Sequence, residues 1–103
     1  MLTHYSLDRE LFLAVDASPT GLGAVLYHDI DGCERPVSFA SRSLNPAERN
    51  YSQLEREALA IVYGVKKFHK FLFGRKFVMQ TDNQPLSFIL NPKSGIPKVA
   101  AAR

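Results

Sequence analysis

The sequence contains a single cysteine, Cys33, among its 103 residues. One cysteine cannot build a disulfide framework, and no cysteine and histidine spacing is typical of a zinc site. We therefore expect a reducing, intracellular setting. Apolar runs as long as the roughly 18 residues of a membrane-spanning helix are also lacking, and the polar start MLTHYSLDRE is unlike a signal peptide. These absences predict no membrane partner.

Internal repeats and low-complexity segments are absent too, and 46% of the residues are hydrophobic. This length and composition predict one globular domain over residues 1–103. The formal net charge is +3. Such a mildly basic balance permits a polyanionic partner without requiring one.

Apolar runs separated by turn signals predict three antiparallel strands in the first half of the chain. Residues 11–15 are apolar throughout, as in a central strand covered on both faces. Turn residues at 17–21 and 29–32 then separate predicted strands over 22–28 and 35–41. Strands connected by such short turns form a meander.

A helical period follows the third strand. Apolar residues recur there at spacings of three and four: Leu54, Ala58, Ile61, Val65, Phe68 and Leu72. The capping-box sequence Ser52-Gln53-Leu54-Glu55 and the stop signal Gly74 predict a helix over 53–72. An earlier cap, Asn45-Pro46-Ala47-Glu48, predicts a short helical turn over 46–50.

The last part of the chain is predicted to contain a strand over 76–81, a helix over 83–90 and a loop over 91–97. Residues 99–103, VAAAR, resemble the start of another helix. Because the strand over 76–81 is reached through a helix, it can lie parallel to a neighbour. The expected architecture is α/β, with a mixed sheet of a meander and a parallel fourth strand.

An aspartate ends each of two apolar strands, Asp16 and Asp82. A carboxylate at the end of a buried strand is costly unless something there requires its charge. If the two strands are parallel neighbours, both carboxylates reach one edge of the sheet, where α/β sheets commonly bind ligands. A divalent cation, Mg²⁺ or Mn²⁺, would relieve their repulsion. Alternatively, each aspartate could cap the turn or helix that follows it.

A third acid could come from the helix, where Glu55 and Glu57 flank the apolar stripe on opposite sides. Helical spacing alone does not choose between them. The capping box favours Glu57, because it engages Glu55 with the backbone of Ser52. The alternative for either glutamate is a solvated helix flank.

Three segments resemble the ribonuclease H domain of gypsy-type LTR retrotransposon reverse transcriptases: VDASPTGLGAVL, SFASRSLNPAERNYSQLEREALAIVYGVKKFHKFLFGRKF and TDNQPL. The resemblance implies a ribonuclease H-like fold, with a five-stranded mixed sheet whose fourth strand lies parallel beside the first. It also implies that the fifth strand, the last helix and a fourth metal-binding aspartate are missing here. No Asp or Glu follows Asp82 in this sequence.

The resemblance implies hydrolysis of the RNA strand of RNA–DNA hybrids by acidic residues that hold two Mg²⁺ or Mn²⁺ ions. By motif, these residues are Asp16 of VDAS, which would bridge both ions, Glu57 of REALAI and Asp82 of TDNQ. The implied partners are the hybrid and the polymerase domain of the same polyprotein. The implied location is the cytoplasm, a virus-like particle or the nucleus.

Basic residues cluster at the end of the predicted helix and just after it: Lys66, Lys67, Lys70, Arg75 and Lys76. They could contact phosphates, or they could simply complement the helix dipole. Three polar residues near the expected metal site are candidates for reading the RNA 2′-hydroxyl group: Ser18, Thr20 and Asn83. The histidines lie on no catalytic motif, and we expect surface or structural roles for them: His4, His28 and His69.

A second function class stays open, in which the domain is a non-catalytic remnant or a domesticated module that binds nucleic acid or supports a larger polymerase. Three intact ligands favour the enzyme, and the missing fourth ligand favours the module. A missing fifth strand would also leave a sheet edge exposed, through which the chain could pair with another copy.

Overall fold

The computed structural model describes residues 2–80, 85–90 and 97–101. These residues form six strands, a 3₁₀ turn and two helices. In chain order the elements are β1 (Leu11–Ala17), β2 (Gly21–Ile30), β3 (Cys33–Ser43), the 3₁₀ turn (Glu48–Asn50), α1 (Gln53–Lys67), α2 (His69–Leu72), β4 (Lys76–Gln80), β5 (Pro85–Leu90) and β6 (Pro97–Ala101). No helix in these ranges is long and apolar enough to cross a membrane.

The strands form one mixed sheet in the order β3-β2-β1-β4-β5-β6. The first three strands are the predicted antiparallel meander, in which β2 lies between β1 and β3. Asp31 and Gly32 form the β2–β3 turn with positive φ angles of 54° and 80°, as the Asp-Gly signal predicts. Strand β4 lies parallel to β1, with Ala14 the partner of Gln80. The predicted meander and parallel fourth strand are confirmed.

The main helix begins at the predicted capping box. Ser52 Oγ accepts a hydrogen bond from the Glu55 N–H at 3.1 Å, and Glu55 Oε1 accepts one from the Ser52 N–H at 2.9 Å. The predicted helix over 53–72 is interrupted at Phe68, which separates α1 from α2. The start and the end of the helical region are therefore confirmed, but its continuity is not.

The face of α1 that packs on the sheet differs from the predicted stripe at its first two positions. Leu54 is 76% exposed and Ala58 is exposed, whereas Ala60, Gly64 and Val65 are buried. The reason is the close contact between Gly64 and β1. This contact turns the side of α1 that carries Ala60 and Gly64 towards the sheet. The remainder of the predicted stripe lies in or against the hydrophobic core: Ile61, Val65, Phe68 and Leu72.

The predicted helix over 83–90 is wrong for its described residues, because Pro85–Leu90 is β5, antiparallel to β4. A six-residue apolar run does not distinguish a strand from a buried helix, and the free edge of β4 supplies backbone hydrogen-bond partners. Residues Pro97–Ala101 form β6 instead of a loop end and a helix start. Beyond β4 the sheet thus continues with two antiparallel strands, and its outer strands are β3 and β6.

Candidate active site

Asp16 lies near the carboxyl end of β1, where its register partner on β2 is Gly23. Its side chain is exposed, and within residues 2–80 it makes no hydrogen bond or ion pair. It lines an open hollow of about 530 Å³ together with Ser18, Thr20, Gly21, Leu22, Gly23, Ser41, Arg42 and Ser43. The predicted cost of a buried carboxylate does not arise, because water reaches this end of the strand.

Ser18 and Thr20 lie in the same hollow as Asp16, as residues of the β1–β2 turn. Ser18 Oγ accepts hydrogen bonds from the N–H groups of Thr20 and Gly21, at 3.2 and 3.0 Å. The Ser18 N–H in turn donates to the Gly21 carbonyl oxygen at 2.9 Å. The Ser18 hydroxyl therefore stabilises the turn, and its contact with RNA stays a prediction.

Glu57 is half-buried in the second turn of α1. Glu57 lies three residues before Ala60 and seven residues before Gly64, which places it on the same side of the helix as these two sheet-facing residues. Its Oε2 atom accepts a hydrogen bond from Gln53 Nε2 at 3.1 Å. The predicted role of Glu55 in the capping box is confirmed, because its side chain accepts a hydrogen bond from the Ser52 N–H.

Two of the three predicted carboxylates, Asp16 and Glu57, lie among the described residues. Glu57 does not line the hollow that contains Asp16. Asp82 and Asn83 lie outside the described residues. Within residues 2–80, 85–90 and 97–101, no group of three His, Cys, Asp or Glu side chains could hold a metal ion. The predicted ligand set therefore stays a prediction.

The family of RNase H-like domains found in reverse transcriptase matches residues 6–102. The chain belongs to this family. Over 86 residues, this RNase H-like domain is 44% identical to the retrovirus-related Pol polyprotein from transposon 297 of Drosophila melanogaster, covering 84% of this chain and 8% of that relative. Over 100 residues, it is 41% identical to the Pol polyprotein from transposon gypsy of the same organism, covering 96% of this chain and 9% of the relative.

The RNase H-like domain thus spans less than a tenth of the length of these two relatives. The fold also matches the foamy viral protease-reverse transcriptase in complex with RNA/DNA hybrid, with a TM-score of 0.69 at 19% identity. That match covers 78% of this chain and 11% of the viral chain. The predicted membership of a gypsy-type retroelement family and the predicted ribonuclease H-like fold are confirmed.

Of the five basic residues at the end of the helical region of the RNase H-like domain, Arg75 is engaged by other parts of the protein. Arg75 donates to the carbonyl oxygens of Ser6 and Arg9 at 3.0 and 2.6 Å, and its guanidinium lies 5.6 Å from the Tyr5 ring centroid. It therefore fixes the segment before β1. The four lysines are exposed: Lys66, Lys67, Lys70 and Lys76. Phosphate contact by any of the five stays a prediction.

Lys66 and Lys67 line a groove of about 380 Å³ between α1 and β3, with Leu59, Val62 and Tyr63 of α1 and Arg42 of β3. Lys70 instead lies over Phe71, with its ammonium 5.8 Å from the ring centroid. The predicted basic cluster is thus divided between surfaces with different neighbours.

Sequence reasoning missed an ion pair that connects β3 to the 3₁₀ turn. Arg42 donates from both terminal nitrogens to the Glu48 carboxylate, at 2.8 and 2.9 Å. Asn45 and Glu48 also exchange hydrogen bonds, as the predicted cap requires. The bonds from Arg42 and from the Asn45 N–H hold the pKa of Glu48 down at about 2. The cap motif indicated Glu48, but no local pattern indicated Arg42.

His28 has the predicted structural role, since it is fully buried. Its Nε2 atom accepts a hydrogen bond from the Ser6 N–H at 2.9 Å, so that nitrogen carries no proton. Its Nδ1 atom, 2.9 Å from the Glu10 carbonyl oxygen, is therefore the donor. The ring connects the segment before β1 to β2.

Proposed function

We propose that this RNase H-like domain hydrolyses the RNA strand of RNA–DNA hybrids, with Mg²⁺ or Mn²⁺ held by Asp16, Glu57 and Asp82. The observation that carries the proposal is the parallel pairing of β1 with β4, in which Ala14 faces Gln80. Asp16 and Asp82 each follow one of these partners by two positions in the sequence. Parallel strands end at the same edge of a sheet, which is where α/β folds commonly bind ligands.

The chemistry of the two described carboxylates suits a hard divalent cation. Mg²⁺ and Mn²⁺ prefer carboxylate oxygens and water as ligands. Asp16 is exposed, and neither of its oxygens has a protein partner among residues 2–80. Glu57 accepts through Oε2 only, so Oε1 has no partner in the same range. Divalent cations bound here would supply the positive charge that activates a water molecule and stabilises the leaving 3′ oxygen.

The surroundings of Asp16 favour a large polar substrate. The hollow is open and lined mainly by small and polar residues, so a backbone phosphate could approach the carboxylate. Lys66 and Lys67 would add sequence-independent contacts with phosphates. The foamy viral relatives of the same fold are described in complex with RNA/DNA hybrid and with double-stranded DNA, which supports a nucleic-acid partner. The proposed protein partner is the polymerase domain of the same polyprotein.

A cleavage assay on a labelled RNA–DNA hybrid tests the proposal, with double-stranded RNA as the competing substrate. In Mg²⁺ or Mn²⁺, we expect cleavage of the hybrid alone. Asp16→Asn, Glu57→Gln and Asp82→Asn should each reduce the rate about 100-fold or more, since replacing even an outer-shell partner of a metal ligand costs up to about that much.

Two matched variants control for the loss of a charge. Asp8→Asn removes an exposed aspartate on the segment before β1, and Glu55→Gln retains a side-chain acceptor for the capping box. Both should cleave at the wild-type rate. If the folded wild-type protein binds the hybrid without cutting it, and Asp16→Asn binds Mn²⁺ as well as wild type, the enzyme proposal is wrong. The non-catalytic module would then be the better interpretation.

A further inference from the structure

The Gln53 side chain contacts the Glu57 carboxylate and is itself held by Arg56. Gln53, one helical turn earlier, donates from Nε2 to Glu57 Oε2 at 3.1 Å. Arg56 donates from Nη2 to Gln53 Oε1 at 2.8 Å. The Gln53 amide therefore connects a guanidinium to a carboxylate.

Only one orientation of the Gln53 amide suits both neighbours. A guanidinium has donors and no acceptor, and an ionised carboxylate has acceptors and no donor. Turning the amide over would place its NH₂ group against Arg56 and its oxygen against Glu57, and both contacts would be repulsive. The amide thus presents its NH₂ group to Glu57.

Arg56 is itself anchored to the backbone where α1 begins. Its Nη1 atom donates to the carbonyl oxygen of Tyr51, the residue that follows the 3₁₀ turn. Its Nε atom is buried and has no hydrogen-bond partner among the described residues. The two hydrogen bonds from its terminal nitrogens restrict the orientation of the guanidinium. Tyr51, Arg56, Gln53 and Glu57 therefore form a continuous chain of hydrogen bonds.

We propose that Gln53 and Arg56 are positioning residues that hold the Glu57 carboxylate in one orientation for cation binding. The inference rests on the proposed function of Glu57 as a cation ligand. A free glutamate side chain samples many rotamers, and fixing it on binding costs conformational entropy. A carboxylate already held by a hydrogen bond avoids much of that cost, as with other outer partners of metal ligands. Because the hydrogen bond from Gln53 uses Oε2, the Oε1 atom of Glu57 is left to bind the cation.

The first test measures the rotamers of Glu57 in the metal-free protein, from three-bond couplings in its NMR spectra. We expect one dominant rotamer in the wild-type protein and averaged couplings in Gln53→Ala. Arg56→Ala should shift the couplings in the same direction. Asn50→Ala and Arg49→Ala are the matched controls, because both residues are exposed and neither side chain makes a hydrogen bond within residues 2–80. Circular dichroism establishes that each variant is folded.

The second test measures Mn²⁺ affinity by calorimetry. Loss of an outer partner typically weakens metal binding 10–100-fold, so we expect about a tenfold weaker Kd for Gln53→Ala. Arg56→Ala should weaken binding by less, because Gln53 can still reach Glu57. The double variant should resemble Gln53→Ala alone, since Arg56 acts through Gln53. Additive losses of Mn²⁺ affinity would show that the two side chains act independently, and would contradict the proposal that Arg56 acts through Gln53.

The two tests separate this inference from the proposed function. Unchanged Glu57 couplings in Gln53→Ala overturn the positioning role, whatever the protein binds. Changed couplings with an unchanged Mn²⁺ Kd overturn the link to cation binding. If the couplings change in Gln53→Ala but the wild-type protein binds no Mn²⁺, the positioning of Glu57 is supported and its proposed role as a cation ligand is contradicted.

Discussion

Gly64 of α1 lies so close to Val15 of β1 that a Cβ atom on the glycine would be 2.9 Å from Val15 Cγ1. The same atom would lie 3.4 Å from Ala24 Cβ on β2. A helix approaches a sheet this closely where its facing residue has no side chain. Because Val15 directly precedes Asp16, this contact fixes the position of α1 relative to the end of β1.

We expect Gly64→Ala to lower the free energy of unfolding by about 1–2 kcal/mol. Overpacking a close-packed site costs about 1–3 kcal/mol, and the better helix propensity of alanine offsets up to about 1 kcal/mol of that. Urea unfolding followed by circular dichroism measures the change. Gly23→Ala is the control, because nothing lies within 4 Å of a Cβ atom there. If Gly64→Ala were as stable as the wild-type protein, α1 could move away from β1 without cost.

Acid should weaken the domain through Glu48, whose pKa falls from its ordinary value of 4.5 to about 2 on folding. A carboxyl group with a depressed pKa stabilises the folded state above its unfolded pKa. That contribution is lost progressively as the pH falls from about 4.5 to about 2. Urea midpoints of the wild-type protein and of Glu48→Gln should therefore differ at pH 6 and converge near pH 2. Parallel curves over this range would contradict the Arg42–Glu48 pair as the cause.

Arg75→Ala should loosen the segment that precedes β1. Arg75 donates to two backbone carbonyl oxygens, those of Ser6 and Arg9, and a hydrogen bond from a charged donor contributes about 1.5–3 kcal/mol. Because the side chain is partly solvated, we expect a loss of about 1–2 kcal/mol of unfolding free energy. Amide hydrogen exchange should rise in residues 3–9 first. Lys76→Ala, the neighbouring exposed cation, should change neither measurement; uniform exchange throughout the domain would argue against a local role.

Hybrid binding should depend on salt through the lysines and not through Arg75. Each phosphate contact that is removed should lower the slope of log affinity against log salt concentration by about 0.9. We therefore expect a reduced slope for Lys66→Ala and for Lys67→Ala, and an unchanged slope for Arg75→Ala. The slope is measured by fluorescence anisotropy with a labelled hybrid at salt concentrations from about 50 to about 200 mM, a range over which phosphate contacts change the affinity. Wild-type slopes in both lysine variants would favour the helix-dipole interpretation.

Much of the fold could be predicted because its signals are local. The Asp-Gly turn specifies the β2–β3 hairpin, and the residues of the Ser52–Glu55 capping box contact each other within one helical turn. The helix between β1 and β4 allowed a parallel arrangement, and the family resemblance implied that the partner of β4 is β1, as the structure shows. The segment Pro85–Leu90 could not be predicted in this way, because a short apolar run takes its structure from the strand edge beside it.

The sequence by itself determined the order of the first elements, the start of α1 and the engagement of Glu55 in the capping box, since each depends on residues that are neighbours along the chain or one helical turn apart. Only the tertiary structure decided that Gly64 packs on Val15, that Arg42 pairs with Glu48 and that Arg75 fixes the segment before β1. These contacts join separate elements, so their formation depends on the distance between side chains in space, which periodicity and spacing do not contain.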